Sequence, residues 1–205
     1  MNNQETKKNA LFKSISKLLD STHWSIKLIN EAEKQNKLDT NYHKLLFPGG
    51  LAQLVQEFEN WLDIEMLDAL NKLEKPKKIR GQIALALETR IINLVPKNVI
   101  LKNSSFFLIP SNILAGSESA CQTCDLIWKY AGDKSTDFNY YTKRGLLLPV
   151  YLSAKAFYVA DNSKNHEKTK EFIKNALDNI INIASFKNRV NLPKMEDIPI
   201  LRLFS

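Results

Sequence analysis

The chain lacks any stretch of alternating apolar and polar residues at strand length, and that absence argues against sheet folds. It also lacks a long apolar run: nothing approaches the roughly 20 residues a membrane-spanning helix needs. The first nine residues are polar and charged, unlike a secretory leader, so an intracellular setting is expected. Cysteine is scarce. The two present, Cys121 and Cys124, share a helix face at i, i+3, but zinc takes four ligands and no second Cys/His cluster lies near in sequence. They read as small buried apolar residues of a reducing compartment. The three histidines, His23, His43 and His166, are far apart in sequence and read as surface or satisfied structural groups. There is no G-x-G-x-x-G, Walker loop, G-x-S-x-G or H-E-x-x-H. The absence of Glu-x-x-His argues against a bundle-type di-iron site. No acid/base constellation stands out, so the expectation is a protein that is not an enzyme, with no cofactor and no metal.

What is present is charge, helix and an apolar surplus. The 205 residues fit one domain with a small appended piece. With 29 Lys+Arg against 22 Asp+Glu the net charge is +7, which favours anionic partners such as nucleic acid, an acidic membrane or an acidic protein face. Apolar residues recur at helical spacing through the chain. Residues 1–9 read as a frayed tail and 10–20 as a helix. Ser25 caps a second helix, a short third one covers 39–47, and Pro48-Gly49-Gly50 breaks it. Further helices are expected at 51–73, 79–95, 99–109, 111–131 and 167–184, with a basic turn at Lys75-Pro76-Lys77-Lys78 between the first two. The sum is an all-α fold of about nine helices.

Residues 132–163 organise the rest. Gly132 suits a left-handed helix cap, and Ser135 or Thr136 can cap the next helix. From Gly145 to Ala154 there is no charge at all. On a helical wheel Leu147, Tyr151, Ala154 and Tyr158 share one bulky face, and Gly145, Pro149, Ala156 and Ala160 form a small one. A helix that is apolar all round is buried all round, and Pro149 inside it predicts a kink. The bulky stripe faces packed core or something the core encloses. Phe106 and Phe107, Trp128 and the run at 146–148 add to an apolar surplus whose sharper reading is an enclosed pocket. The first three helices have the order of a helix-turn-helix, yet the segment before Phe47 offers one Lys and one Asp beside two leucines, a weak groove reader.

Residues 127–144, Ile-Trp-Lys-Tyr-Ala-Gly-Asp-Lys-Ser-Thr-Asp-Phe-Asn-Tyr-Tyr-Thr-Lys-Arg, closely resemble the Coq-nine family of ubiquinone biosynthesis accessory proteins. Its bacterial relatives, the RpsU-divergently transcribed proteins, look more similar still. The resemblance runs on through Val150-Tyr151 and Asp161-Asn162-Ser163 to Phe172, and Phe47-Pro48-Gly49-Gly50-Leu51 and Lys78-Ile79-Arg80 fit the bacterial branch. The resemblance implies a TetR-like fold that has lost regulation. Residues 1–48 would be a degenerate helix-turn-helix, 49–186 a lipid-binding and dimerisation domain, and 187–205 an irregular tail. It implies a non-catalytic, homodimeric, peripheral membrane protein on the cytoplasmic side of an inner membrane. Such a protein holds an isoprenoid quinone precursor or a phospholipid and supports the demethoxyubiquinone hydroxylase. The pocket residues expected are Phe106, Phe107, Trp128, Leu147, Tyr151, Ala154 and Tyr158. The hydroxylase patch falls on Asp137, Tyr140, Tyr141, Lys143 and Arg144. A usual Trp is Tyr140 here, another is Lys170, and Pro149 replaces a small residue. DNA-binding TetR relatives usually carry Tyr where this chain has Lys44, so a TetR-type regulator sensing a lipid is the runner-up.

Overall fold

The computed structural model describes residues 3–136 and 138–189, and all regular structure among them is helical. Nine α-helices follow in order: α1 (Asn3–Leu19), α2 (Ile26–Gln35), α3 (Tyr42–Leu46), α4 (Gly50–Leu70), α5 (Ile79–Glu88), α6 (Lys97–Phe107), α7 (Ile113–Tyr130), α8 (Phe138–Ala160) and α9 (Glu167–Arg189). The expectation of a frayed tail at 1–9 is corrected: α1 already runs from Asn3, and Lys8 on it reaches Glu57 of α4 at 2.7 Å. The helix expected at 79–95 ends earlier, because α5 passes into a π-helical turn, Thr89–Asn93. Residues 190–205, most of the expected irregular tail, lie outside the described residues.

Local chemistry explains the boundaries. Ser25 caps α2 by accepting the Leu28 N–H, and Pro48 with Gly49 separates α3 from α4. Glu33 ties α2 to α3. Its carboxylate accepts the backbone N–H of Asn41 and of His43, and it pairs with His43 Nδ1 at 2.7 Å. His43 is thus a buried structural histidine, whereas His23 is exposed. At the end of α7, Gly132 has φ +84°. Its N–H reaches Lys129 O and the Asp133 N–H reaches Trp128 O, which is a complete Schellman closure. Asp161 opens α9: its carboxylate accepts the N–H of Ser163 and both the N–H and hydroxyl of Thr169. These bonds hold the Asp161 carboxyl below its ordinary range.

One apolar core runs from α1 to α9. At one end Phe12, Phe47, Phe58 and Trp61 meet with ring centroids 5.4–5.9 Å apart. At the other, α8 packs against α6, α7, α9 and the π turn. Its stripe Leu147, Tyr151, Ala154 and Tyr158 is buried to 3 % exposure or less. The α8 helix continues through Pro149. No described helix is long and apolar enough to cross a membrane.

Candidate functional site

Helices α6, α7 and α8 touch one another and leave a cavity of about 610 Å³ between them. Each contributes one helical stripe. From α6 come Leu101, Ser104 and Ser105, with Phe107 beside them and Leu108 just past the helix end; from α7 Ile113, Gly116, Ser117 and Ala120; from α8 Leu148, Tyr151, Leu152, Lys155, Ala156 and Val159. The steps of three and four residues put each set on one face. Gly116 lets the walls close: a Cβ there would stand 2.6 Å from Phe107 Cβ. The volume lies within the roughly 300–1,000 Å³ of small-molecule sites.

The floor is charged. Glu59 of α4 lines the cavity and belongs to a buried chain of polar contacts. Arg90 of the π turn, wholly buried, binds Glu59 Oε2 at 2.6 Å and Asp63 Oδ1 at 2.7 Å. Asn103 donates to Glu59 Oε1 at 2.6 Å and accepts from Trp24 Nε1 at 2.9 Å. Thr123 of α7 donates to Asp63. Burial raises the Glu59 pKa, but Lys155, Arg90 and Asn103 outweigh it and hold the carboxyl below its usual range. Asp63 goes the other way, because burial exceeds the help from Arg90. Burial lowers the Lys155 pKa against the pull of Glu59. Burial also opposes the charge on Arg90, yet the Tyr151 oxygen and the two carboxylates keep it above its ordinary value.

The turn before α8 forms a second cluster. Asp133 accepts from Lys143 Nζ at 2.6 Å, from Arg144 Nη1 at 2.9 Å and from the Ser135 hydroxyl at 2.7 Å. These contacts outweigh burial and hold its carboxyl well below the usual range. Arg144 also binds Asp125 at 2.7 Å and lies 3.4 Å over the Tyr140 ring, and Tyr140 Oη donates to Asp125. The Gly-Asp-x-Ser motif is thus the clamp that joins α7 to α8.

The residues expected to form the pocket separate. Phe107 and Tyr151 line the cavity. Leu147, Ala154 and Tyr158 are buried in the core, off its walls. Phe106 packs on Trp24, and Trp128 donates to Lys143 O at the clamp. Of the hydroxylase patch, Arg144 is buried, and Lys143 and Tyr140 are half-buried and tied into the clamp. Tyr141 alone of the described four is broadly open, at 71 % exposure. Asp137 lies outside the described residues. Sequence reasoning missed Glu59, Asp63, Arg90 and Lys155. The cysteines are free, and burial pushes the Cys124 thiol up to about 12.

Fold and site together define a class: an all-α protein of TetR-like architecture whose C-terminal helices surround an apolar cavity. The TetR transcriptional regulator from Nitrosomonas europaea ATCC 19718 superposes with a TM-score of 0.60 over 85 % of this chain and 97 % of that one, at 16 % identity, a likeness of fold alone. The family is narrower. Residues 113–184, from α7 into α9, match the COQ9 family model, so the resemblance carried by 127–144 stands. The chain is 36 % identical over 127 residues to the probable ubiquinone biosynthesis protein coq9, mitochondrial, of Dictyostelium discoideum, covering 62 % of this chain and 39 % of that protein. It is 32 % identical over 106 residues to the human ubiquinone biosynthesis protein COQ9, mitochondrial, covering 51 % and 33 %. With COQ9-A of Xenopus laevis it shares 26 % over 176 residues, covering 82 % and 55 %. The chain therefore spans about two fifths of the Dictyostelium protein and about a third of the human one.

Proposed function

We propose that this protein serves ubiquinone biosynthesis as a non-catalytic accessory protein. In this reading it holds an isoprenoid quinone precursor or a phospholipid in the α6–α8 cavity and presents it to the demethoxyubiquinone hydroxylase. The observation that carries the reading is the cavity itself, whose α7 and α8 walls fall inside the segment that matches the COQ9 family. Its ordinary chemistry supports holding rather than reacting: both oxygens of Glu59 are already bonded, to Asn103 and Arg90, so no free base faces the cavity from that carboxylate.

The energetics suit a carrier. Burying a methylene from water is worth about 0.8 kcal/mol, and a bilayer already supplies that burial. Transfer of a tail between bilayer and cavity is then nearly neutral, and the ligand moves either way. Exposed Leu108 and Ile113 line the cavity mouth and exposed Ile109 and Leu114 follow them in sequence, and in this reading they rest on lipid. The +7 net charge adds attraction to an anionic leaflet, at about 1 kcal/mol per well-placed Lys or Arg. Two copies pair through α8 and α9 in this account, with the Phe157–Phe172 stack on that outer side.

Mass spectrometry of lipid extracted from the protein purified under native conditions tests the reading. A stoichiometric prenylated or acylated lipid supports it; protein that elutes lipid-free from quinone-producing cells refutes it. The TetR-like fold favours one other reading, a DNA-binding regulator. Against it, α3 has five residues and exposes Leu45 and Lys44. Duplex binding with a steep salt dependence would favour the regulator.

A further inference from the structure

The cavity is apolar at its mouth and polar at its end. Leu101, Leu108, Ile113 and Leu152 line it and stay exposed, whereas Ser119, Tyr151 and Lys155 line it and are buried. The buried groups are unspent donors. The Ser119 and Tyr151 hydroxyls make no close hydrogen bond; Tyr151 meets the Thr123 hydroxyl only at longer range, and the Thr123 proton goes to Asp63. Lys155 Nζ lies 5.2 Å over the Tyr151 ring and has no hydrogen bond among the described residues. Buried polar groups left in this way are costly unless something meets them. Both oxygens of Glu59 are already taken, and Lys155 can only donate while each free hydroxyl brings one more proton, so donors are in surplus at this end of the cavity. Charge narrows the choice further. Glu59 and Asp63 face Arg90 and Lys155, two of each sign, so a buried carboxylate ligand would add an uncompensated charge, whereas a carbonyl oxygen adds none.

We infer that the cavity takes its ligand polar end first, and that this end carries neutral carbonyl-type oxygens accepting from Lys155, Ser119 and Tyr151 while the tail leaves over Leu108 and Leu152. The inference rests on the lipid-holding reading and adds to it an orientation and a head-group chemistry. A head buried in the protein with its tail at the apolar mouth leaves the tail continuous with a bilayer against that mouth. The ligand then need not leave the membrane completely, and in this placement its head is shielded until it slides back to the mouth, where the hydroxylase would receive it.

Equilibrium dialysis of the full chain, stripped of lipid with methyl-β-cyclodextrin, separates the alternatives. The probes are 2-decyl-1,4-benzoquinone, decylbenzene and decanoate, whose alkyl chains differ by no more than one carbon. The benzoquinone is expected to bind at least about tenfold tighter than decylbenzene, as hydrogen bonds from a charged and two neutral donors allow. Decanoate is expected to bind no tighter than decylbenzene. Tyr151→Phe removes a hydroxyl that makes no close hydrogen bond in the fold, so the variant is expected to fold. It should cut the benzoquinone's advantage by about threefold or more and leave decylbenzene unchanged. Lys155→Met, checked for folding by thermal melt, should reduce the advantage further. If the three probes bind alike, or decanoate binds tightest, the polar-end-first placement is overturned and the lipid-holding reading survives. If none of the probes binds, both fall.

Discussion

Replacing Arg90 with methionine tests the charged floor. Arg90 is wholly buried and joins Glu59 and Asp63 of α4, while Thr123 of α7 bonds Asp63 from the other side. Met fills a similar volume and leaves two buried carboxylates, one of which, Glu59, keeps Lys155 nearby. Removing one partner of a buried pair costs about 3–5 kcal/mol, and for a chain of this size that lowers the melting temperature by roughly 10 °C. The pH dependence has a definite sign. Without the guanidinium the Asp63 carboxyl, already raised by burial in the parent, moves further above its unfolded value. Its cost is absent below that unfolded value, near pH 4, and grows as pH rises. In the parent, Glu59 is depressed, and its contribution is lost as pH falls. Both effects narrow the gap between variant and parent on acidification. Adding Asp63→Asn to Arg90→Met should recover part of the loss, because it leaves Glu59 with Lys155. Urea denaturation at pH 7 and pH 4.5 measures all three proteins. A loss under about 1 kcal/mol, or one that does not change with pH, would refute the view that Arg90 neutralises this floor.

Three further outcomes are expected. Gly116→Ala gains about 1 kcal/mol of helix propensity but drives a methyl into Phe107 Cβ, an overpacking cost of about 1–3 kcal/mol; a thermal melt should show a net loss, and a rise in melting temperature would contradict the close approach. Tyr141→Lys should change stability by less than about 0.5 kcal/mol yet lower cellular ubiquinone, whereas Tyr140→Ala should lose about 1–3 kcal/mol through its Asp125 bond and Arg144 stacking; equal melts for the two would undo the distinction. Asp133→Asn should destabilise by about 1–3 kcal/mol at pH 7 and progressively less as the pH falls below about 4, since the parent carboxyl is depressed in the fold and its contribution is lost on protonation.

The helices, the Ser25 cap and the Gly132 closure were legible because each is a local property of a few residues. The cavity's α8 wall was not. A helix that is apolar on every side has no phase, so the wheel singled out Leu147, Tyr151, Ala154 and Tyr158 as readily as the face one residue on, Leu148, Leu152, Lys155 and Val159. Lys155 is the one local signal, a charge at the end of an uncharged run, and it marks the cavity side. The floor was hidden for a different reason: Arg90 meets Asp63 and Glu59 across 27 and 31 positions, a distance at which no spacing rule operates. The clamp was half legible. The motif was seen, but Lys143 and Arg144 were placed only in the hydroxylase patch, because the partners that tie them down, Asp125 and Asp133, lie across the turn on and after α7. The π turn left no periodic signature either; the apolar spacing at 79–95 predicted one continuous helix.

The central claim is that the α6–α8 cavity is where lipid sits. Ala156 lies on its wall and is exposed, so a larger side chain there fills the space without disturbing the core. The measurement is the lipid content, by mass spectrometry per mole of protein, of Ala156→Trp against the parent, both purified under native conditions and matched for melting temperature. The account predicts that the parent carries a stoichiometric lipid and that the variant loses most of it. A folded variant that retains the parent's lipid in full would place that lipid elsewhere and contradict the claim.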